Sequence, residues 1–337
     1  MKNPGPRNIW LTTLIALLVV VAFNILVARV APKLPPQQLL RSIQEGAPSA
    51  QTVFLGDSQM EDAADPVAFA KGCNQARTAF NAGLGGTYAS EHCLILECLV
   101  PLAPSADSVV YGFFDTLLTE PVPAKWRDLV GNRALAYHFP GRTSALLAPG
   151  EALTAFRIQV SATVPMIRER MAIWAKVERA RRRFSRVGLP PEETGRFGRA
   201  RDFTALEPAD ANVFETGLRK AVEEKRPFNR SVQEIIRTAT ARGLKFYLIQ
   251  MPVPAGHRER FYATPSWQYY QLHIRHLLEP AGGRFIDASD WIEDGKFRDP
   301  LHVTAAGAEA FSTRLAREIC SDTDHNHSGV KRVDQPQ

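Results

Sequence analysis

Three short stretches hold residue types that together can carry acyl transfer: FLGDSQM (54–60), NAGLGG (81–86) and FRDPLHVTAAG (297–307). A serine hydroxyl such as that of Ser58 is a poor nucleophile at its free pKa and needs a base held against it. His302 can supply that base. Asp299, three residues earlier and just ahead of a helix, can bond one ring nitrogen and leave the other pointing away, toward a nucleophile. Each piece also has a bland reading. Strand-to-helix turns are rich in Gly, Asp and Ser for conformational reasons alone, and Asp57 reads as a turn-structuring residue on that ground. An Asp-x-x-His pair is usually structural when it stands alone. The glycines of NAGLGG lack the full spacing of a dinucleotide fingerprint, and no acidic residue follows at the right offset. They also suit a tight turn with an exposed amide facing a developing oxyanion.

These stretches need a scaffold that brings distant segments to one place, and the surrounding pattern predicts one. TVFLGDS, RTAFNAGLGG, DSVVYGFFD, LKFYLIQMPVP and GRFIDAS read as strands ending in turn residues. Between them TYASEHCLILECLVPLA, NRSVQEIIRTATARG and SWQYYQLHIRHLLEPAG read as helices, with VTAAGAEAFSTRLAREI closing the chain. PQQLLRSIQEG reads as a short helix ahead of the first strand. Alternation at this spacing implies an α/β fold with a parallel sheet, whose active residues belong at the carboxyl ends of strands.

The amino terminus is of a different kind. IWLTTLIALLVVVAFNILVARV (9–30) is apolar for long enough to cross a hydrocarbon core. VARVAPK makes a poor cleavage site, so the segment is expected to stay as a single-pass anchor of the cell membrane, with the lipid bilayer as partner. Basic residues flank it on both sides, at Lys2, Arg7, Arg29 and Lys33, and orient it only weakly. Long C-terminal domains are usually translocated, which places the domain on the extracytoplasmic (periplasmic) side. Residues 1–8 form a flank and 31–50 a linker with the short helix. The α/β domain spans 51–320 with an insertion at about 116–229, and 321–337 form a polar tail expected to be disordered.

The 337 residues carry a net charge of +6, a mild excess that does not amount to a nucleic-acid surface. The four cysteines, Cys73, Cys93, Cys98 and Cys320, show no paired spacing and leave the redox compartment open. No cofactor and no metal site is expected. His273 and His276 lie three apart on a helix without further ligands in view, His92 reads as a packed residue, and His325 and His327 fall in the tail. Within the insertion, Pro165 to Arg186 reads as one amphipathic helix. Ile167, Met171, Trp174, Val177, Ala180 and Phe184 line one side, and Arg168, Arg179, Arg182, Arg183 and Arg186 the other. That is either a solvated face over a packed stripe or a surface for anionic headgroups or glycan.

GDSQ after the first strand, NAGLGG after the second and DPLHVTAAG before the last helix stand in the order and spacing of the SGNH/GDSL hydrolase superfamily, which the chain resembles over most of the region after the anchor. The resemblance implies a flavodoxin-like three-layer α/β/α sandwich, with Ser58 as nucleophile, His302 as general base and Asp299 as its orienter. The amides of Ser58 and Gly86 would form part of the oxyanion hole. The third block departs from the pattern. YGFFDT keeps Gly112 and a turn-structuring Asp115 in register but puts Phe114 where the family has an oxyanion-binding Asn. Divergent third blocks are similar to those of membrane-anchored SGNH-like proteins of cell-envelope acylation, which work on an acylated glycan or lipid, often beside a membrane-embedded acyltransferase. Two readings stay open: a serine esterase or O-acyltransferase, and a binding or assembly partner that keeps the fold without the catalysis.

Overall fold

A computed structural model describes residues 6–30, 35–114, 118–119, 133–147, 152–170, 173, 177, 181 and 208–327. The chain divides into two compact units, one of residues 1–38 with 124–192 and the other of residues 39–123 with 193–337.

The second unit is built on five strands: β1 (Thr52–Leu55), β2 (Ala79–Asn81), β3 (Ser108–Phe113), β4 (Lys245–Gln250) and β5 (Arg284–Asp287). All pairings are parallel and the order is β2-β1-β3-β4-β5, the flavodoxin-like doubly wound arrangement with its switch point between β1 and β3. Every residue of β1 and β3 is buried, which is why both read as unbroken apolar runs rather than alternating ones. Phe54, Val110, Tyr247, Ile249 and Ile286 share one core cluster with Met60, Phe69 and Phe311. The rings of Phe54 and Phe69 meet edge to face at 5.1 Å.

Helices α2 (Pro35–Gly46), α3 (Ser58–Ala63), α4 (Pro66–Gly72) and α5 (Ala89–Leu99) belong to the amino-terminal half of the chain, after the apolar helix α1 (Pro6–Val30). Between β3 and β4 come α6 (Arg133–His138), α7 (Pro140–Leu146), α8 (Ala152–Thr163), α9 (Pro165–Arg168), α10 (Pro208–Glu223) and α11 (Arg230–Ala241). Helix α12 (Pro265–Leu278) lies between β4 and β5, and α13 (Ala305–His327) follows β5. Their starts follow the capping chemistry of the sequence. Asp57, Asp65, Asn229 and Thr264 each accept hydrogen bonds from first-turn amides, satisfying donors with no intrahelical partner.

One expectation changes. The closing helix does not stop at the predicted end of the domain but runs through His327, so the first seven tail residues are helical; no Gly or Pro interrupts the sequence between Gly307 and Gly329. Cys73 and Cys320, whose pairing the sequence left open, form a disulfide that ties the end of α4 to α13 across 247 residues of sequence. In the amphipathic stretch predicted as one helix from Pro165 to Arg186, every described residue is helical except Glu169, a turn: Pro165–Arg168, Arg170, Ile173, Val177 and Arg181. Val177, on the apolar side of that stretch, is 52% exposed. Met171, Trp174, Ala180, Phe184, Arg179, Arg182, Arg183 and Arg186 lie outside the described residues, as does Asp115.

Candidate functional site

The chain leaves the carboxyl end of β1 at Leu55, turns through Gly56 and Asp57, and enters α3 at Ser58. Asp57 caps that helix, its carboxylate accepting from the Gln59 amide at 2.9 Å. The cap fixes the first turn, and Ser58, as its first residue, has a backbone N–H with no partner inside the helix. The side chain of Ser58 is half-buried at the strand end.

The carboxy-terminal loop arrives from the other side. Its own backbone shapes it. The Arg298 amide donates to the His302 carbonyl at 2.8 Å, and Phe297 bridges Val303. Within it, one Asp299 oxygen accepts from the amides of Leu301 and His302, both at 2.9 Å, while both carboxylate oxygens lie 2.9 Å from His302 Nδ1. The opposite ring nitrogen, Nε2, lies 2.8 Å from Ser58 Oγ. With a carboxylate at Nδ1, the proton-bearing nitrogen is Nδ1 and Nε2 is left to accept from the serine O–H. Burial alone would raise the Asp299 carboxyl, but the bonds from Leu301, His302 and the imidazole outweigh it and hold the pKa below its ordinary value. It is therefore a charged acceptor at neutral pH. The alcohol, the imidazole and the carboxylate predicted from separate stretches stand in one line.

The residues that hold this line were not singled out in the sequence. Gln59 Nε2 donates to the Leu301 carbonyl at 3.2 Å, and Asp62 on α3 forms an ion pair with Arg298. Both contacts join the helix that carries Ser58 to the loop that carries His302. Arg298 also lies 3.8 Å from Asp299 through Nε, so one guanidinium faces both carboxylates. The only sequence cue was position: Asp62 falls one helical turn after Ser58, and Arg298 immediately precedes Asp299.

The glycine-rich stretch closes the third side. Asn81 Nδ2 donates to the carbonyls of Glu61 and Ala64 at the end of α3, at 3.0 and 2.6 Å, and its Oδ1 accepts from Gly83. The Gly85 amide donates to Glu61 Oε2 at 2.6 Å. A Cβ on Gly85 would stand 3.0 Å from that carboxylate oxygen and 3.4 Å from Ser58 Cβ, so this glycine permits the loop to lie against the serine. Gly86, expected to offer an oxyanion amide, follows in the left-handed region at φ +71° with no heavy atom within 4 Å of where its Cβ would be. Phe114 leaves the end of β3 and packs beside the core cluster, its ring 6.3 Å from that of His257.

His92 is buried. Its Nε2 lies 2.9 Å from Thr87 Oγ1, its Nδ1 3.1 Å from Tyr111 Oη, and desolvation pushes its pKa down to about 3. It holds the segment after the glycine turn and is uncharged at neutral pH. His273 bonds the Arg226 carbonyl through Nε2 at 2.7 Å, and His276 is exposed.

No protein-family model matches the chain, and no curated protein matches it in sequence. Among solved structures it is similar to a lipase/acylhydrolase from Enterococcus faecalis, with 13% identity over 81% of this chain and 96% of that one and a TM-score of 0.35. It is similar also to a GDSL-like lipase from Bacteroides thetaiotaomicron, with 11% identity over 85% and 98% and a TM-score of 0.36.

Proposed function

We propose that the protein is a serine esterase or O-acyltransferase working through Ser58, His302 and Asp299. The observation that carries this is the unbroken relay from Asp299 through the imidazole to Ser58 Oγ. In the first step His302 Nε2 takes the serine proton as Oγ attacks the ester carbonyl carbon, and the carbonyl oxygen becomes an oxyanion. The amides of Ser58 and Gly86 are the donors assigned to that oxygen. His302 then gives its proton to the departing alcohol as the ester bond breaks, leaving the acyl group on Ser58. Water or a second hydroxyl, deprotonated by the same nitrogen, releases it. Asp299 stays charged throughout and stabilises the imidazolium that forms between the steps.

The helix α1 supports placement at a membrane: Trp10–Arg29 has a mean hydropathy of 2.7, and only 6% of it is buried. The Cys73–Cys320 disulfide supports an oxidising compartment, and hence a domain on the extracytoplasmic side. In that setting the substrates are acyl esters of envelope glycans or lipids, and a membrane-embedded acyltransferase is the partner that the anchored arrangement suits.

Phe114, which offers no side-chain donor, is the observation that favours the rival reading of a non-catalytic assembly partner. Losing one oxyanion donor costs about two to three powers of ten in turnover. The two readings separate in a stopped-flow experiment with p-nitrophenyl esters. The enzyme reading expects a burst of one p-nitrophenol per chain and an acyl mass increment on Ser58, both lost in Ser58→Ala. A wild-type chain with neither burst nor increment is the partner.

A further inference from the structure

We propose that helices α8 and α9 of the insertion are seated in the membrane leaflet at which α1 ends, with Leu153, Phe156 and Val160 in contact with lipid; this rests on the reading of α1 as an anchor. Along α1 every described side chain from Trp10 to Phe23 is exposed, and the first to turn toward protein are Asn24 and Val27, one turn apart. Val27 is 5% exposed. Asn24 interrupts an otherwise apolar run, and both ends of its amide are used. Nδ2 donates to the Val20 carbonyl at 2.9 Å, and Oδ1 accepts from the Met166 amide at 3.0 Å.

That second bond sets a depth. Asn24 lies five residues before Arg29, so at about 1.5 Å per residue it is roughly 8 Å inside the charged end of the span. Met166 is the second residue of α9, after Pro165, which has no N–H to satisfy. The start of α9 therefore meets α1 within the apolar stretch, not beyond it. Irregular backbone at such a depth requires its polar groups to be paired by protein, as the Asn24 side chain does for Met166.

The surface that α8 presents fits the same environment. Leu153, Phe156 and Val160 are 61%, 65% and 41% exposed, and their spacing of three and four puts them on one face. Ile158 points the other way and is buried. Arg157, beside the stripe, is exposed, where an amphipathic helix lying in a bilayer interface carries its basic residues toward headgroups. Met166, 37% exposed, brings a further apolar side chain to the segment that meets α1.

Collision accessibilities of a nitroxide in the full chain, reconstituted in phosphatidylcholine vesicles containing phosphatidylglycerol, test this. Labels go at Phe156→Cys and Leu153→Cys, with Leu17→Cys in α1 as lipid reference and Thr240→Cys on α11 as water reference, all in a Cys98→Ser background. At positions 156 and 153 the ratio of oxygen to nickel-chelate accessibility is expected to be several-fold above that at 240 and to approach that at 17. Water-like ratios at 153 and 156 beside a lipid-like ratio at 17 overturn the inference and leave the anchor standing. Low access to both reagents at 153 and 156 means that protein covers the stripe, which also overturns it. A water-like ratio at 17 removes the anchor and this inference with it.

Discussion

Replacing Asp62 by alanine removes one partner of an ion pair that joins the nucleophile's helix to the base's loop. The side chains of Asp62 and Arg298 are 7% and 18% exposed, so solvent screens the pair little. Breaking such a pair from one side leaves a nearly buried charge and costs about 3 kcal/mol, the low end for a pair that keeps slight solvent access. For a unit of this size each kcal/mol lowers the melting temperature by about 2–4 °C, giving a drop of about 6–12 °C. The released guanidinium is already 3.8 Å from Asp299 and is expected to close on it in competition with the imidazole. A displacement of His302 near 1 Å lowers the acylation rate by about 10²-fold. Thermal denaturation with the p-nitrophenyl ester burst measures both effects, and the double variant Asp62→Ala/Arg298→Met isolates the pair. With no stray charge left, the double variant is expected to be more stable and faster than Asp62→Ala alone. If each single variant stays within roughly 0.5 kcal/mol of wild type, as surface substitutions do, and the two effects add, then the pair does not position the site.

Asp299→Asn keeps an acceptor for the Leu301 and His302 amides but loses the charge facing Nδ1, so a folded protein with acylation slowed about 10³- to 10⁴-fold is expected. Burst kinetics near the wild-type rate would remove Asp299 from the relay. Stability is expected to fall with acid below the ordinary His value of 6.5. His92 is neutral when folded, with a pKa of about 3, and takes up a proton when unfolded. The difference at pH 5 is about 2 kcal/mol and continues to grow toward pH 3. Urea unfolding at pH 7 and pH 5 measures it, and His92→Gln should flatten the change; an equal slope in that variant would refute the assignment. Asp299, whose pKa is lowered, adds stability that is present above its ordinary value of 3.8 and is lost only below it, outside that window.

The strands were legible because β1 and β3 are buried on both faces and therefore appear as continuous apolar runs, each closed by Gly, Asp or Asn where the chain turns. The Asp299–His302 relation was legible because three residues suffice to bring a carboxylate onto its own histidine. Convergence on Ser58 needed the order of the strands as well, which alternation of strands and helices implied. Other contacts had no local trace. Asp62 and Arg298 stand 236 positions apart, and nothing in the type or spacing of either names the other. Cys73 and Cys320 likewise meet only because α4 packs along α13. The tail beyond Cys320 looked polar enough to be loose, yet α13 continues into it as far as His327, with no Gly or Pro over that stretch. The insertion follows no strand–helix rhythm, and the stripe on α8 became visible only through the exposure of Leu153, Phe156 and Val160.

Whether the 2.8 Å contact between His302 Nε2 and Ser58 Oγ makes an active nucleophile is tested most directly by a fluorophosphonate probe followed by peptide mapping. A single adduct on Ser58 is predicted, absent in Ser58→Ala and strongly slowed in His302→Ala. An unlabelled wild-type chain, or labelling elsewhere that persists in Ser58→Ala, would contradict the assignment of acyl chemistry to this site.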